Sequence, residues 1–309
     1  MSAPSPRYPH LRIHHPRNGA LVMRECLNIS FYIQRPHTEV GPRIGAALDL
    51  YLRAVGPEAL TWFPDENGNW RPLDAREWKN IRHQLNASPG ARIELNERPD
   101  AVSGYVFDYR GNRPDPFRPD ALCAVSFWLP TEFLEARGPD SVCDLARELG
   151  RQVPFTSGHA GLAINMIQIP PETQSLAHRH PGMDIPDMGE AAEYLGSRIR
   201  GAHWLTFLGP PVLSALGGPH GLRARLPSGI DIQALDDERA VVRLGEGPEA
   251  GDTEHAQELP AYRELARVLE PWLHPSRHPL RGFTAEETRR WERRFLDPSP
   301  HHPESGEVP

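Results

Sequence analysis

Apolar and polar positions alternate along short stretches of this chain and recur at helical spacing along longer ones, with clusters of glycine, proline and asparagine between. Leu21 to Gln34, LVMRECLNISFYIQ, alternates and is rich in strand formers, which predicts the first long strand. Val40 to Val55 places Ile44, Leu48, Tyr51 and Leu52 on one helical face, a stripe that packs on a core. In LTWFPDENGNWRP, residues 60 to 72, the Asn67-Gly68 pair between aromatic strand ends predicts a hairpin. Asp74 and Glu77 form a capping box for a helix ending near Leu85. Ala91 to Leu95, Gly104 to Tyr109 and Leu122 to Leu129 read as three further strands.

In the second half, Thr131 is expected to cap a helical pair jointed at Gly138-Pro139 and stopped by Gly150. Val153 to Met166 supplies a turn and a buried strand, and Glu172 to His180 a helix opened by Pro170-Pro171. From Gly201 to Leu222 there is no charged residue at all, which marks interior. Within that run Trp204, Thr206 and Leu208 share one face and His203, Leu205 and Phe207 the other, the pattern of a central strand, followed by a short helix from Val212 to Leu216. Ile230 to Leu244 reads as a hairpin turning at Asp236-Asp237-Glu238. Pro260 starts a helix with an apolar stripe, and Thr284 with Glu287 opens the last helix, to Leu296.

This order of elements implies an α+β fold: a mixed, largely antiparallel sheet system with helices packed on it, in a single compact two-lobed body. The proline-rich ends divide the chain into a disordered arm (1–18), a body (19–297) and a disordered tail (298–309).

Charge narrows the function. The net charge of −7 argues against nucleic-acid binding, and Lys79 is the single lysine among 34 basic residues. The first residues have no apolar leader and no segment is apolar for long enough to span a membrane, so a cytoplasmic protein is expected. Cys26, Cys123 and Cys143 are odd in number and dispersed, which suits reduced, buried thiols. The negative charge is unevenly placed: Ile230 to Glu258 holds nine carboxylates against two arginines, a balance equal to that of the whole chain. Such a segment is either a solvated loop or an acidic patch that meets a basic surface. On the second reading Asp236, Asp237, Glu238, Asp252 and Glu254 are candidate partner contacts.

Candidate chemistry is sparse. Ser157 and His159 lack the nucleophile-elbow context and a third member. His178, His180 and Asp184 offer an H-x-H pair plus a carboxylate, the donor types of a metal-dependent hydrolase. Two residues apart on a helix, however, the histidines point to different faces. No catalytic set, metal or cofactor is expected, with that hydrolase as the alternative.

The runs SFWLPTEFLE (126–135), PFTSGHAGLA (154–163), PGMDIPD (181–187), RIRGAHWLTFLG (198–209), LPAYRELARVLEPWL (259–273) and RRWERRFLD (289–297) resemble a bacterial family of type VI secretion immunity proteins. The resemblance implies a cytoplasmic antidote that binds a cognate toxic effector, with relatives that neutralise VRR-type nucleases by covering the active-site region. It carries no catalytic residues. The acidic segment around Asp236 to Glu258 fits docking against a nuclease's basic cleft.

Overall fold

The alternating segment at the start of the body becomes the strand on which the rest is laid. In the computed structural model, which describes residues 8–113 and 115–297, the elements run β1 (Arg12–His14), β2 (Leu21–Ile33), α1 (His37–Val55), β3 (Trp62–Pro64), β4 (Trp70–Pro72), α2 (Ala75–Ala87), β5 (Ala91–Asn96), β6 (Val106–Gly111) and β7 (Cys123–Pro130). They continue through α3 (Thr131–Gln152), β8 (Ser157–Met166), α4 (Thr173–Arg179), α5 (Met188–Tyr194), β9 (Leu205–Leu208), α6 (Val212–Ala215), α7 (Gly218–Arg223), β10 (Asp231–Ala234), β11 (Ala240–Arg243), α8 (Pro260–Leu269) and α9 (Ala285–Glu292).

All eleven strands join one antiparallel sheet in the order β10-β11-β9-β8-β2-β7-β6-β5-β3-β4, with β1 paired to β2. At its centre β2 lies between β7 and β8, and its two faces have different tasks. Leu27, Ile29, Phe31 and Ile33 face the helices: Tyr51 of α1 packs on Phe127, and Phe31 stacks with Phe155 and meets Phe207 edge-on. The opposite face is polar yet buried. Asn28 Nδ2 donates to Ser126 Oγ at 2.6 Å, and the Ser30 hydroxyl donates to Asn28 Oδ1 at 2.7 Å, so each group is satisfied within the sheet. Helices α1 and α2 touch through Gly41, where a Cβ would overlap the Leu85 carbonyl.

The expected hairpins at Asn67-Gly68 and Asp236-Glu238 are present, and Thr284 with Glu287 makes both bonds of its capping box. Several features differ from expectation. Thr131 is the first helical residue and not the cap; its hydroxyl donates to Glu25 Oε1 at 3.0 Å, while Pro130 precedes the helix. Strand β9 has four residues and lies between β8 and β11, toward one end of the sheet, because the charge-free run before Leu205 is a buried loop. Helices α5 and α7 were not expected; each is a turn or two long, too short to show a periodic stripe. Within the arm expected to be disordered, Leu11 is buried and Arg12–His14 form β1. The cause is Glu25, fully buried on β2: it accepts from the Leu11 N–H at 2.7 Å and pairs with Arg12 at 2.8 Å. The tail from 298 onward lies outside the described residues, as do residues 1–7 of the arm.

Candidate functional site

One set of ionisable groups is buried where β8, the Pro181–Pro186 loop and the loop before β9 meet. His159 on β8 lies opposite Ser30 and Thr206 in the sheet. Asp184 is held by the Leu162 carbonyl, which accepts from its N–H at 2.8 Å, and its own carbonyl accepts from Ile164 N–H at 2.9 Å. His203 is fixed by an N–H bond to Thr206 Oγ1 at 3.0 Å and by its Nδ1 against the Gly201 carbonyl at 3.2 Å. Both imidazole Nε2 atoms lie 3.5 Å from Asp184 Oδ2, and Arg200 Nη2 lies 3.6 Å from Oδ1. At these separations the coupling is electrostatic more than hydrogen-bonded.

The donors of His159, Asp184 and His203 fall within 4.8 Å of one another, a spacing that a metal centre would need. Two facts count against it. The imidazoles are stacked, with centroids 4.1 Å apart and planes 18° from parallel, so their in-plane lone pairs run side by side instead of converging. Asp184 is already neutralised by buried Arg200. The arrangement is a buried ion pair flanked by two aromatic rings.

Burial would raise the Asp184 carboxyl, but Arg200, then His159 and His203, hold it well below the usual carboxylate range. Burial, with His203 adding to it, pushes His159 down to about 4. Between that value and the ordinary 6.5 the unfolded chain binds the proton that folded His159 refuses, so stability falls as pH drops through this window. The loss approaches about 3 kcal/mol at the acid end. Urea midpoints at pH 7, 5.5 and 4.5 check it: His159→Gln should flatten the decline relative to the parent, and equal slopes would refute the assignment.

The structure separates the three residues read as a hydrolase set. Asp184 turns to His159, His203 and Arg200, whereas His180 Nδ1 meets the Gly251 carbonyl at 2.7 Å and His178 packs on Phe283. Ser157 donates to the Arg198 carbonyl at 3.1 Å, a structural contact. Reading the sequence missed the link from Asp184 to His159, Arg200 and His203; the one visible signal was a histidine inside a charge-free run.

The acidic candidates divide. Asp236 Oδ1 accepts from Glu238 N–H at 3.0 Å and its Oδ2 from Arg239 Nε at 2.7 Å. Arg239 is in turn tied to the Gly150 and Val153 carbonyls, so Asp236 braces the hairpin against α3. Asp252 is buried, takes a two-pronged bond from Arg179 at 3.1 and 2.9 Å, and also accepts from His255; the Arg179 bonds, followed by the His255 contact, hold its carboxyl low. Glu254 is exposed and pairs with Arg179 at 2.6 Å. Asp237 and Glu238 stand exposed at the tip of the β10–β11 hairpin.

The fold, a broad antiparallel sheet with helices packed on it, is shared with a solved structure, the Pseudomonas aeruginosa T6SS protein PA0821. The two superpose with a TM-score of 0.77 at 21% identity, covering 92% of this chain and 87% of that one. No curated protein matches the chain. The family model described as Type VI immunity for VRR-NUC matches residues 43–295, and the chain belongs to that family of type VI immunity proteins.

Proposed function

We propose that this immunity protein neutralises a VRR-type nuclease effector in the cytoplasm, by binding over its active-site region and without chemistry of its own. The observation that carries the reading is the family match across residues 43–295. It is supported by the candidate hydrolase residues facing separate partners, and no described helix is long and apolar enough to cross a membrane. Co-expression tests it: bacterial cells producing the cognate nuclease should survive when this chain is present. Death at equal toxin levels, with the chain soluble and folded, would sink the reading.

A nuclease carries a basic surface for its polyanionic substrate, and an acidic feature on the inhibitor speeds encounter by steering. The exposed Asp237 and Glu238, with Glu254 on the same acidic segment, are suited to that role, while Asp236 and Asp252 hold the backbone that presents them. The Asp237→Asn/Glu238→Gln variant should slow association several-fold at low salt and flatten its salt dependence, with dissociation within about two-fold of the parent. Stopped-flow mixing with the inactivated effector reads both rates; an unchanged on-rate would remove the hairpin from the mechanism.

A further inference from the structure

Strand β5 is fully paired on one side only. All six of its residues pair with β6, whereas toward β3 the ladder consists of Trp62 opposite Asn96. The Asn96 carbonyl accepts from Thr61 N–H at 3.0 Å, which fixes the backbone groups of β5 that point this way. Those groups alternate sides along an antiparallel strand, so the N–H and C=O of Glu94 and Arg92 also point toward β3. Continuing the register would set Pro64 opposite Glu94, and proline has no N–H to give. The hairpin departs there. A groove of about 1030 Å3 opens between β5, the β3–β4 hairpin and α2.

The lining of this groove has a definite character. It holds four carboxylates against one arginine and one histidine, and Glu66, Glu77 and Glu94 have no ion pair among the described residues. Phe63 and Trp70 supply apolar wall. An open strand edge invites another strand, and proteins normally cover or blunt such edges. A second copy of the chain would bring the same acidic lining and be repelled.

We infer that the groove receives an extended, basic segment of the effector, added to β5 as a further strand. Its backbone bonds Arg92 and Glu94 while its lysine or arginine side chains meet the glutamates. The inference rests on the immunity reading for the identity of the partner. It also separates two tasks: the β10–β11 hairpin, at the other end of the strand order, steers at long range, and the β5 groove makes the short-range contact.

Amide hydrogen exchange on the full chain tests the groove directly, with the blocked peptide KVKVKVKV as probe and EVEVEVEV as control. The Arg92 and Glu94 amides should slow at least tenfold with the lysine peptide and stay unchanged with the glutamate one. Unchanged exchange at millimolar lysine peptide overturns the proposal. Glu94→Pro removes an outward N–H without touching the ladder to β6 and should abolish the protection. Should that variant fail to fold, Glu66→Gln/Glu77→Gln should weaken the peptide at least fivefold, and equal affinity counts against the groove. With the nuclease itself, cells that survive while the two amides remain unprotected in the complex overturn the groove and leave the immunity reading standing. Cells that die overturn the immunity reading, and the peptide result still decides the groove.

Discussion

Asp184→Ala is expected to cost about 3–5 kcal/mol, because it leaves the Arg200 guanidinium charged and unmatched in the interior. Arg200 is 7% exposed at its side chain and Asp184 3%, so water cannot replace the lost partner. That cost is a large part of the stability of an ordinary domain. Urea unfolding should therefore show a much lower midpoint, or the variant should collect in the insoluble fraction. The double variant Asp184→Leu/Arg200→Met separates causes: if the unmatched charge is the cost, removing both partners recovers most of it. A single variant within about 1 kcal/mol of the parent would mean that the ion pair does not hold these loops.

Trp204→Ala is the second large effect, also about 3–5 kcal/mol, the range for deleting a buried aromatic side chain. Trp204 is 1% exposed, in the loop that leads into β9, with the Arg243 guanidinium over its ring at 5.9 Å. Its Nε1 has no hydrogen-bond partner among the described residues, so Trp204→Phe should cost clearly less than the alanine change. The check is thermal unfolding of both variants beside a co-expression assay. If Trp204→Ala keeps its stability but no longer protects cells from the nuclease, the residue belongs to the effector interface and not to the core.

Much of the fold was legible because its longest elements obey simple periods. Strand β2 runs for thirteen residues and alternates from Leu27 to Ile33, α1 carries one apolar stripe, and both hairpins have turn residues at their tips. Placement within the sheet was harder. The run around Trp204 was read as a central strand because it lacks charge, yet absence of charge reports burial, and a buried loop beside a sheet satisfies it equally. The arm escaped notice for the opposite reason: its composition is polar, and its order comes from a carboxylate elsewhere in the chain. In the candidate sites, counting charge found the acidic segment but could not distinguish carboxylates that brace the backbone from those that face solvent. Asp236 and Asp252 brace, through Arg239 and Arg179; Asp237 does not. The open edge of β5 depends on the β3 ladder stopping at Trp62 opposite Asn96, ahead of Pro64, a register that no local pattern encodes.

The contact between the arm and Glu25 makes the amino end a latch on the fold. Tyr8 bonds Glu135 on α3, and Arg12 pairs with both Glu25 and Glu132, so several anchors close over one buried carboxylate. A protease that removed the chain up to Asn18 would strip buried Glu25 of its Arg12 partner and its Leu11 donor, and so would loosen the seam where β2 meets the start of α3.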